Sequence, residues 1–338
     1  MTSVKPGSAA HSKWARPRGA AAASSGTTAR LAEECAWCGH RFCGDDEPRL
    51  GRVRCGHCGV ATTSPWPSDE QLATAFAVPY PPKSGLFSRI RGAVLRRIRL
   101  ALVDHLRWML PRGPVVDVGA GDGTLVRAFR QRGRIAIGIN PYASGSDPQV
   151  RVADFEDMTG SWSGVIFWHS LAQLRRPAEA LRHAAALLVP GGVLVVAVPN
   201  AASLQARLFG DRWLALDLPR HLVHLTPAAL VAQIEDAGLR IERVSYVRGG
   251  RLLFGWLHGI VGWLPGHPDL RMSIRRGGAR PTVQGLAFRL YALVAAVAAL
   301  PLALIGAGIE VATRSSGTVY VEARRGRPKR PAGTQRPR

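Results

Sequence analysis

The chain has 338 residues, 46% of them hydrophobic, which is enough to bury a real core and points to one large domain plus attachments. Its formal net charge is +22. Residues 1–30 hold no apolar run of the length a secretory signal needs, which excludes that export signal and leads us to expect a chain retained in the reducing cytoplasm.

Half of the excess charge lies in two tails. Residues 1–30 carry Lys5, Lys13, Arg16, Arg18 and Arg30 with no acid, and the far end carries Arg324, Arg325, Arg327, Lys329, Arg330, Arg336 and Arg338 against Glu322. The segments 1–30 and 324–338 are rich in Ala, Ser, Gly and Pro, bury little, and are expected to be disordered. Their charge either attracts an anionic partner, membrane surface or nucleic acid, or reflects arginine-rich composition alone.

Residues 31–64 contain Cys35-Ala36-Trp37-Cys38 and Cys55-Gly56-His57-Cys58, separated by residues 39–54. In a reducing compartment such pairs indicate metal more than disulfide. Two intervening residues let both thiolates of a pair reach one ion from a tight turn, and Gly39 and Gly59 follow where the backbone must bend past it. Cys35, Cys38, Cys55 and Cys58 therefore predict a small ribbon around structural Zn2+, its tetrahedron closed by four thiolates; His40, Cys43 and His57 are not needed. Residues 65–110 read as a proline-punctuated linker and a basic amphipathic helix from Leu86 to Leu110. Its apolar residues Phe87, Ile90, Val94, Ile98, Leu102 and Leu106 suit either a membrane surface or the flank of a sheet.

The next segment runs from an apolar strand, Val115-Val116-Asp117-Val118, through Gly119-Ala120-Gly121-Asp122-Gly123 into a helix opening at Thr124. A strand, a glycine-rich turn and a helix in succession begin a nucleotide-binding unit. The spacing, an acid followed by glycines at every second residue, is similar to that of class I S-adenosylmethionine-dependent methyltransferases, and the chain resembles them from about Leu110 to Gly250. That family implies a doubly wound α/β domain with a seven-stranded Rossmann-like sheet, here over residues 111–323, and methyl transfer from S-adenosylmethionine. The resemblance implies that Asp117, Gly119, Gly121 and Gly123 surround the methionine end of the cofactor. It places Asn140, after the strand 135–139, where relatives usually hold the ribose with Asp or Glu, and Asp154 and Phe155 where they hold the adenine. Further expected elements are strands at 150–153, 165–168 and 193–198, a helix from Pro177 to Leu188, and a Pro190-Gly191-Gly192 turn before the last of these strands.

His169 stands at the carboxyl end of its strand, where relatives place groups facing the methyl acceptor. Residues 219–227, Pro-Arg-His-Leu-Val-His-Leu-Thr-Pro, resemble a segment of a small-molecule and glycan methyltransferase subgroup that also carries an amino-terminal zinc-binding piece. His169 and His221 are thus candidate catalytic residues, with His224 a further acceptor-side candidate; alternatively Thr226-Pro227 caps a helix and the histidines pack beside it. Where the subgroup usually reads Leu-Glu-His, this chain has Leu171-Ala172-Gln173.

Alternating strands at 240–247 and 317–323 match the closing hairpin of the fold, yet an apolar insertion, residues 250–316, separates them. It holds an apolar run at 252–264 and an uncharged stretch from Leu290 to Ile309. The second has the length of a membrane span. If both flanking strands join one sheet, however, the chain must return to the side it left. We expect a helical hairpin lying at one leaflet, with Trp256 and Trp263 near the headgroups, or else an apolar lid or dimer face. The leading reading is methyl transfer to a hydroxyl of a small-molecule, glycan or lipid-linked acceptor, at the inner face of the membrane. Competing readings are an RNA methyltransferase whose ribbon and basic tails bind phosphates, and a non-catalytic scaffold on the methyltransferase fold.

Overall fold

The computed structural model describes residues 31–49, 51–77, 86–143, 148–247, 252–274 and 283–326. Residues 1–30 and 327–338 lie outside it. Arg324 and Arg325, assigned above to a disordered tail, belong instead to a strand, where Arg324 donates to the carbonyls of Met109 and Gly191 at 3.0 and 2.9 Å.

The chain opens with three short strands, β1 (Glu47–Arg49), β2 (Arg52–Arg54) and β3 (Ala61–Thr63), followed by α1 (Asp69–Ala77) and α2 (Leu86–Met109). The main unit then runs β4 (Val115–Val118), α3 (Thr124–Gln131), β5 (Ala136–Ile139), β6 (Val150–Arg151), β7 (Trp162–Trp168), α4 (Pro177–Leu187) and β8 (Leu188–Pro199). It continues with α5 (Leu204–Phe209), β9 (Val223–His224), α6 (Pro227–Asp236) and β10 (Leu239–Ser245). The insertion supplies α7 (Leu252–Gly262), α8 (Leu270–Ile274), α9 (Val283–Ala298) and α10 (Leu300–Ala312) before β11 (Thr318–Arg325) closes the fold.

Seven strands form one sheet in the order β10-β11-β8-β7-β4-β5-β6. Strands β4 to β8 run parallel, and β11 pairs antiparallel with both β8 and β10. The order reverses between β4 and β7, so a crevice opens at the carboxyl ends of these two strands. Strand β8 shows why the sheet is covered on both faces. Leu194, Val196 and Val198 pack with α4 and α6, while Val193, Val195 and Ala197 pack with α2 and α3. A strand buried on both sides needs an unbroken apolar run, and this one has it. The expected turn at residues 189–192 is a bulge within β8: the β7 partner shifts from Trp162↔Leu188 to Gly164↔Val193, with Gly191 left-handed at φ 80°.

Leu102, Val103 and Leu106 of α2 are buried against Leu125 and Phe129 of α3. Those residues of the amphipathic helix therefore flank the sheet, while Ile98 and Trp108 are exposed. Phe87, Ile90 and Val94 lie among side chains the structure does not describe.

Strand β9 leaves the main sheet and pairs with β3, as Ala61↔His224 and Thr62↔Val223, completing a second sheet in the order β1-β2-β3-β9. The cysteine segment is thereby joined to the α/β unit, and Cys35, Trp37 and Cys55 share one buried cluster with Val196 and Leu222.

In the insertion, α7 is the central helix. Gly259 lets Phe209 of α5 lie against it, and Gly306 of α10 lets the Trp256 ring pack on α10. Trp256 is buried and its indole donates to Glu310 at 3.1 Å. The expectation of Trp256 at lipid headgroups is thus corrected: this ring fills the insertion's own core, while Trp263 is half-exposed.

Candidate functional site

The glycine turn after β4 follows from local backbone needs. Gly119, Gly121 and Gly123 all adopt positive φ (72°, 54° and 67°), a region costly for residues bearing Cβ. A Cβ at Gly119 would also overlap the Ser170 side chain. Ser170 in turn donates to the carbonyl of Val118, binding the end of β7 to the end of β4. Asp117 is buried beneath this turn, and its Oδ1 has no hydrogen-bond partner in the structure. Burial pushes its carboxyl up to about 7, with Arg99 opposing and Asp122 adding to the rise. A buried carboxyl whose Oδ1 lacks a donor, set under a glycine cradle, fits a ligand that brings a cation or a donor.

Asn140 follows β5, and its Oδ1 accepts the backbone N–H of Tyr142 at 3.0 Å, leaving the amide NH2 as what it can donate. Tyr142 stacks on Phe76 of α1 at 4.4 Å, so α1 reaches the rim of the crevice. Asp154 is exposed after β6. The Phe155 ring packs edge-to-face against Phe167 and His183 in the core, so anything this residue offers a ligand comes from its backbone.

His169 terminates β7 at φ 60°, half-exposed, its N–H bonded to the carbonyl of Ala197 at 2.8 Å. Segment 219–226 is tied to the same end of the sheet, because Leu222 N–H donates to Ala172 at 2.8 Å and Ala201 N–H to Leu225 at 2.8 Å. The glycine turn, His169 and the His221 segment therefore share one crevice wall. His221 is buried, and its Nδ1 lies 2.7 Å from the Ala215 carbonyl. A carbonyl only accepts, so Nδ1 carries a proton and donates to it.

His224 has a different task. Thr63 Oγ1 donates to the His221 carbonyl at 2.6 Å, which spends its only proton, so His224 Nε2–H donates to Thr63 Oγ1 at 3.2 Å. Burial pushes this imidazole down to about 3, so it stays neutral. As the alternative above foresees, Thr226 caps α6 through its side chain, with Pro227 in the first turn.

The four cysteines converge. Their Sγ atoms all lie within 4.8 Å of one another, with Cys35–Cys58 at 3.6 Å and Cys38–Cys55 at 3.8 Å. A tetrahedron with metal–sulfur bonds of about 2.3 Å has edges of about 3.8 Å, so the set fits zinc. The two turns are alike: Gly39 N–H donates to Cys35 and Gly59 N–H to Cys55, each at 2.8 Å, with both glycines left-handed. His40, Cys43 and Asp46 form a neighbouring cluster, but the Asp46 carboxylate already accepts from Gly56 N–H and Cys43 N–H.

Sequence reasoning missed Thr63 and Asp217, both of which shape the His221 segment. Burial would raise the Asp217 carboxyl, but His221, Arg271 and Arg220 together hold it below the usual range. Arg271 of α8 reaches Asp217 at 2.7 Å, joining the insertion to this segment. No sequence signal marks either contact, since the partners lie far apart along the chain.

A family profile described as a methyltransferase domain matches residues 87–244. The ubiquinone biosynthesis O-methyltransferase of Xanthomonas euvesicatoria pv. vesicatoria is 31% identical, over 45% of this chain and 72% of that protein. Its namesake from Xanthomonas oryzae pv. oryzae is 32% identical over the same shares. Among solved structures, an S-adenosylmethionine-dependent methyltransferase from Archaeoglobus fulgidus is similar at 15% identity and a TM-score of 0.41, over 68% of this chain and 94% of that one.

Proposed function

The chain belongs to the class I S-adenosylmethionine-dependent methyltransferases, and from that premise we propose that it methylates a hydroxyl of an apolar, lipid-linked acceptor at a membrane surface. The observation that carries the acceptor reading is the placement of the insertion. It packs on α5, through Gly255 and Gly259 against Gln205 and Phe209, and reaches the chain just before the His221 segment through Arg271 to Asp217. The O-methyltransferase names of the relatives support a hydroxyl.

S-adenosylmethionine supplies a methyl group on a positively charged sulfonium. In this reading the Asp117 carboxylate, the turn at Gly119, Gly121 and Gly123, the Asn140 amide, Asp154 and the Phe155 backbone hold that molecule. The crevice walls would set the acceptor oxygen in line, and His221 Nε2 would take its proton as the methyl carbon exchanges its bond to sulfur for one to that oxygen, the sulfur leaving as a neutral thioether. His169 borders the acceptor from the same wall. Cys35, Cys38, Cys55 and Cys58 hold structural zinc away from the reacting atoms and support the His221 segment through β3 and β9.

The test is transfer of radiolabelled methyl from S-adenosylmethionine into a lysate, followed by organic extraction. Label in the organic pool, dependent on His221, is the expected result. Label confined to the aqueous pool removes the lipid-linked acceptor and leaves a water-soluble small molecule, a free glycan or RNA.

A further inference from the structure

The insertion is built inside out. Among its described residues, the inner faces of α9 and α10 present small side chains to α7, with Ala292, Ala303, Gly306 and Ala307 buried. The large apolar residues point the other way. Val297 is 73% exposed and Val294 68%, and Leu290, Leu302, Leu304 and Ile305 are each more than half exposed. A helix flanking a water-soluble core has the opposite arrangement. A contiguous apolar face of this kind marks an interaction site.

We propose that this outer face of α9 and α10 docks in the plane of an anionic lipid bilayer. The inference rests on the lipid-linked acceptor reading for its purpose, and on three observations for its geometry and its occupant. The first is shape. The two helices meet at a 56° bend, and no single helix among the described residues is long and apolar enough to cross a membrane. At about 1.5 Å per residue each helix falls short of the roughly 30 Å hydrocarbon core. The second is topology. Ser245 at the end of β10 pairs with Tyr320 of β11, so the insertion leaves and re-enters the same sheet edge. Glu310 holds α10 down, accepting from Gln205 N–H and Nε2 (both 2.8 Å) and from Trp256. The face therefore meets a bilayer as a fixed surface, without threading through it.

The third observation separates lipid from protein. Between Leu290 and Ile309 the only side chain able to hydrogen-bond is that of Tyr291. Protein interfaces carry about one hydrogen bond per 100–200 Å², and this face has almost nothing to contribute; hydrocarbon asks for none. Residues 248–316 also hold eight arginines against two acids, Asp269 and Glu310, and Glu310 is fully buried. That balance complements anionic headgroups.

The experiment is co-sedimentation of the full chain with vesicles of phosphatidylcholine, alone or mixed with phosphatidylglycerol. Two variants, Val297→Glu and Ile305→Glu, change exposed positions and leave the core intact, which circular dichroism and S-adenosylmethionine binding verify. The expected result is binding to the mixed vesicles that either variant weakens by roughly tenfold or more. Absence of binding overturns the proposal, as does binding that both variants retain, because attachment then lies elsewhere. A stable dimer that Val297→Glu dissociates, with no vesicle binding, assigns the face to a second copy and also overturns it. Vesicle binding with methyl label only in water-soluble product would instead refute the acceptor reading while leaving this surface standing.

Discussion

Asp117 is the residue whose environment makes the sharpest demand. Its carboxyl rises from 3.8 to about 7 through burial. Between those values the folded chain keeps a proton that the unfolded chain has released, so the ligand-free protein loses stability as pH climbs through that window. A cation seated against Asp117 favours the carboxylate and expels the proton. Affinity for S-adenosylmethionine should therefore rise with pH up to about 7, at most about tenfold per unit, and level off above it. Calorimetry in buffers of different ionisation enthalpy reads the proton release, and Asp117→Asn should abolish it while weakening binding. Unchanged affinity across the window would show that the ammonium group sits elsewhere. His221 is tested by its Gln variant: kcat should fall by about 10²–10⁴ with cofactor affinity intact. The acidic limb of the pH–rate profile should vanish as well. A change in KM alone would make His221 an acceptor-positioning group.

At the scale of elements, the β-strands and α-helices of the α/β unit were legible because each obeys a local rule. The valine run of β8, the strand-to-helix glycine turn and the Thr226-Pro227 cap all depend on neighbours in sequence. The insertion was legible only in part. Its apolar segments were plain, but which of them is enclosed depends on glycines that admit a ring from another helix, as Gly306 admits Trp256. Glu310 is the polar anchor of that packing. Glu310→Ala should leave Gln205 and Trp256 donors buried without acceptors, at a cost of about 2–3 kcal/mol. A lower melting temperature and faster hydrogen exchange in α10 should result. Exchange unchanged in α10 would mean that Glu310 contributes little to holding the insertion down.

For the whole molecule, the decisive contact is the β3–β9 pairing, which makes the cysteine ribbon and the catalytic unit share a sheet and a core. Zinc in small ribbons contributes about 10 kcal/mol or more of folding free energy, comparable to the stability of an entire domain. Chelating the metal should therefore do more than melt residues 31–64. Amide exchange should accelerate at 219–226, where Thr63 N–H bonds the Leu222 carbonyl at 2.9 Å, while β4 and β5 stay protected. Calorimetry should show one transition that moves down on chelation. Two transitions, the second unmoved, would make the ribbon an independent appendage.

The family, the glycine turn after β4 and the paired cysteines were readable in the sequence because each is a short-range requirement: positive φ at alternate glycines, two thiols one turn apart, apolar residues at strand spacing. The role of His224 was not. It depends on Thr63, 161 residues away, and on the loss of water around both. The same holds for the buried Trp256 and for the outward-facing valines and leucines of α9 and α10. Hydrophobicity along the chain says that a segment leaves water, while only the packed structure decides whether it does so against its own domain or against something else.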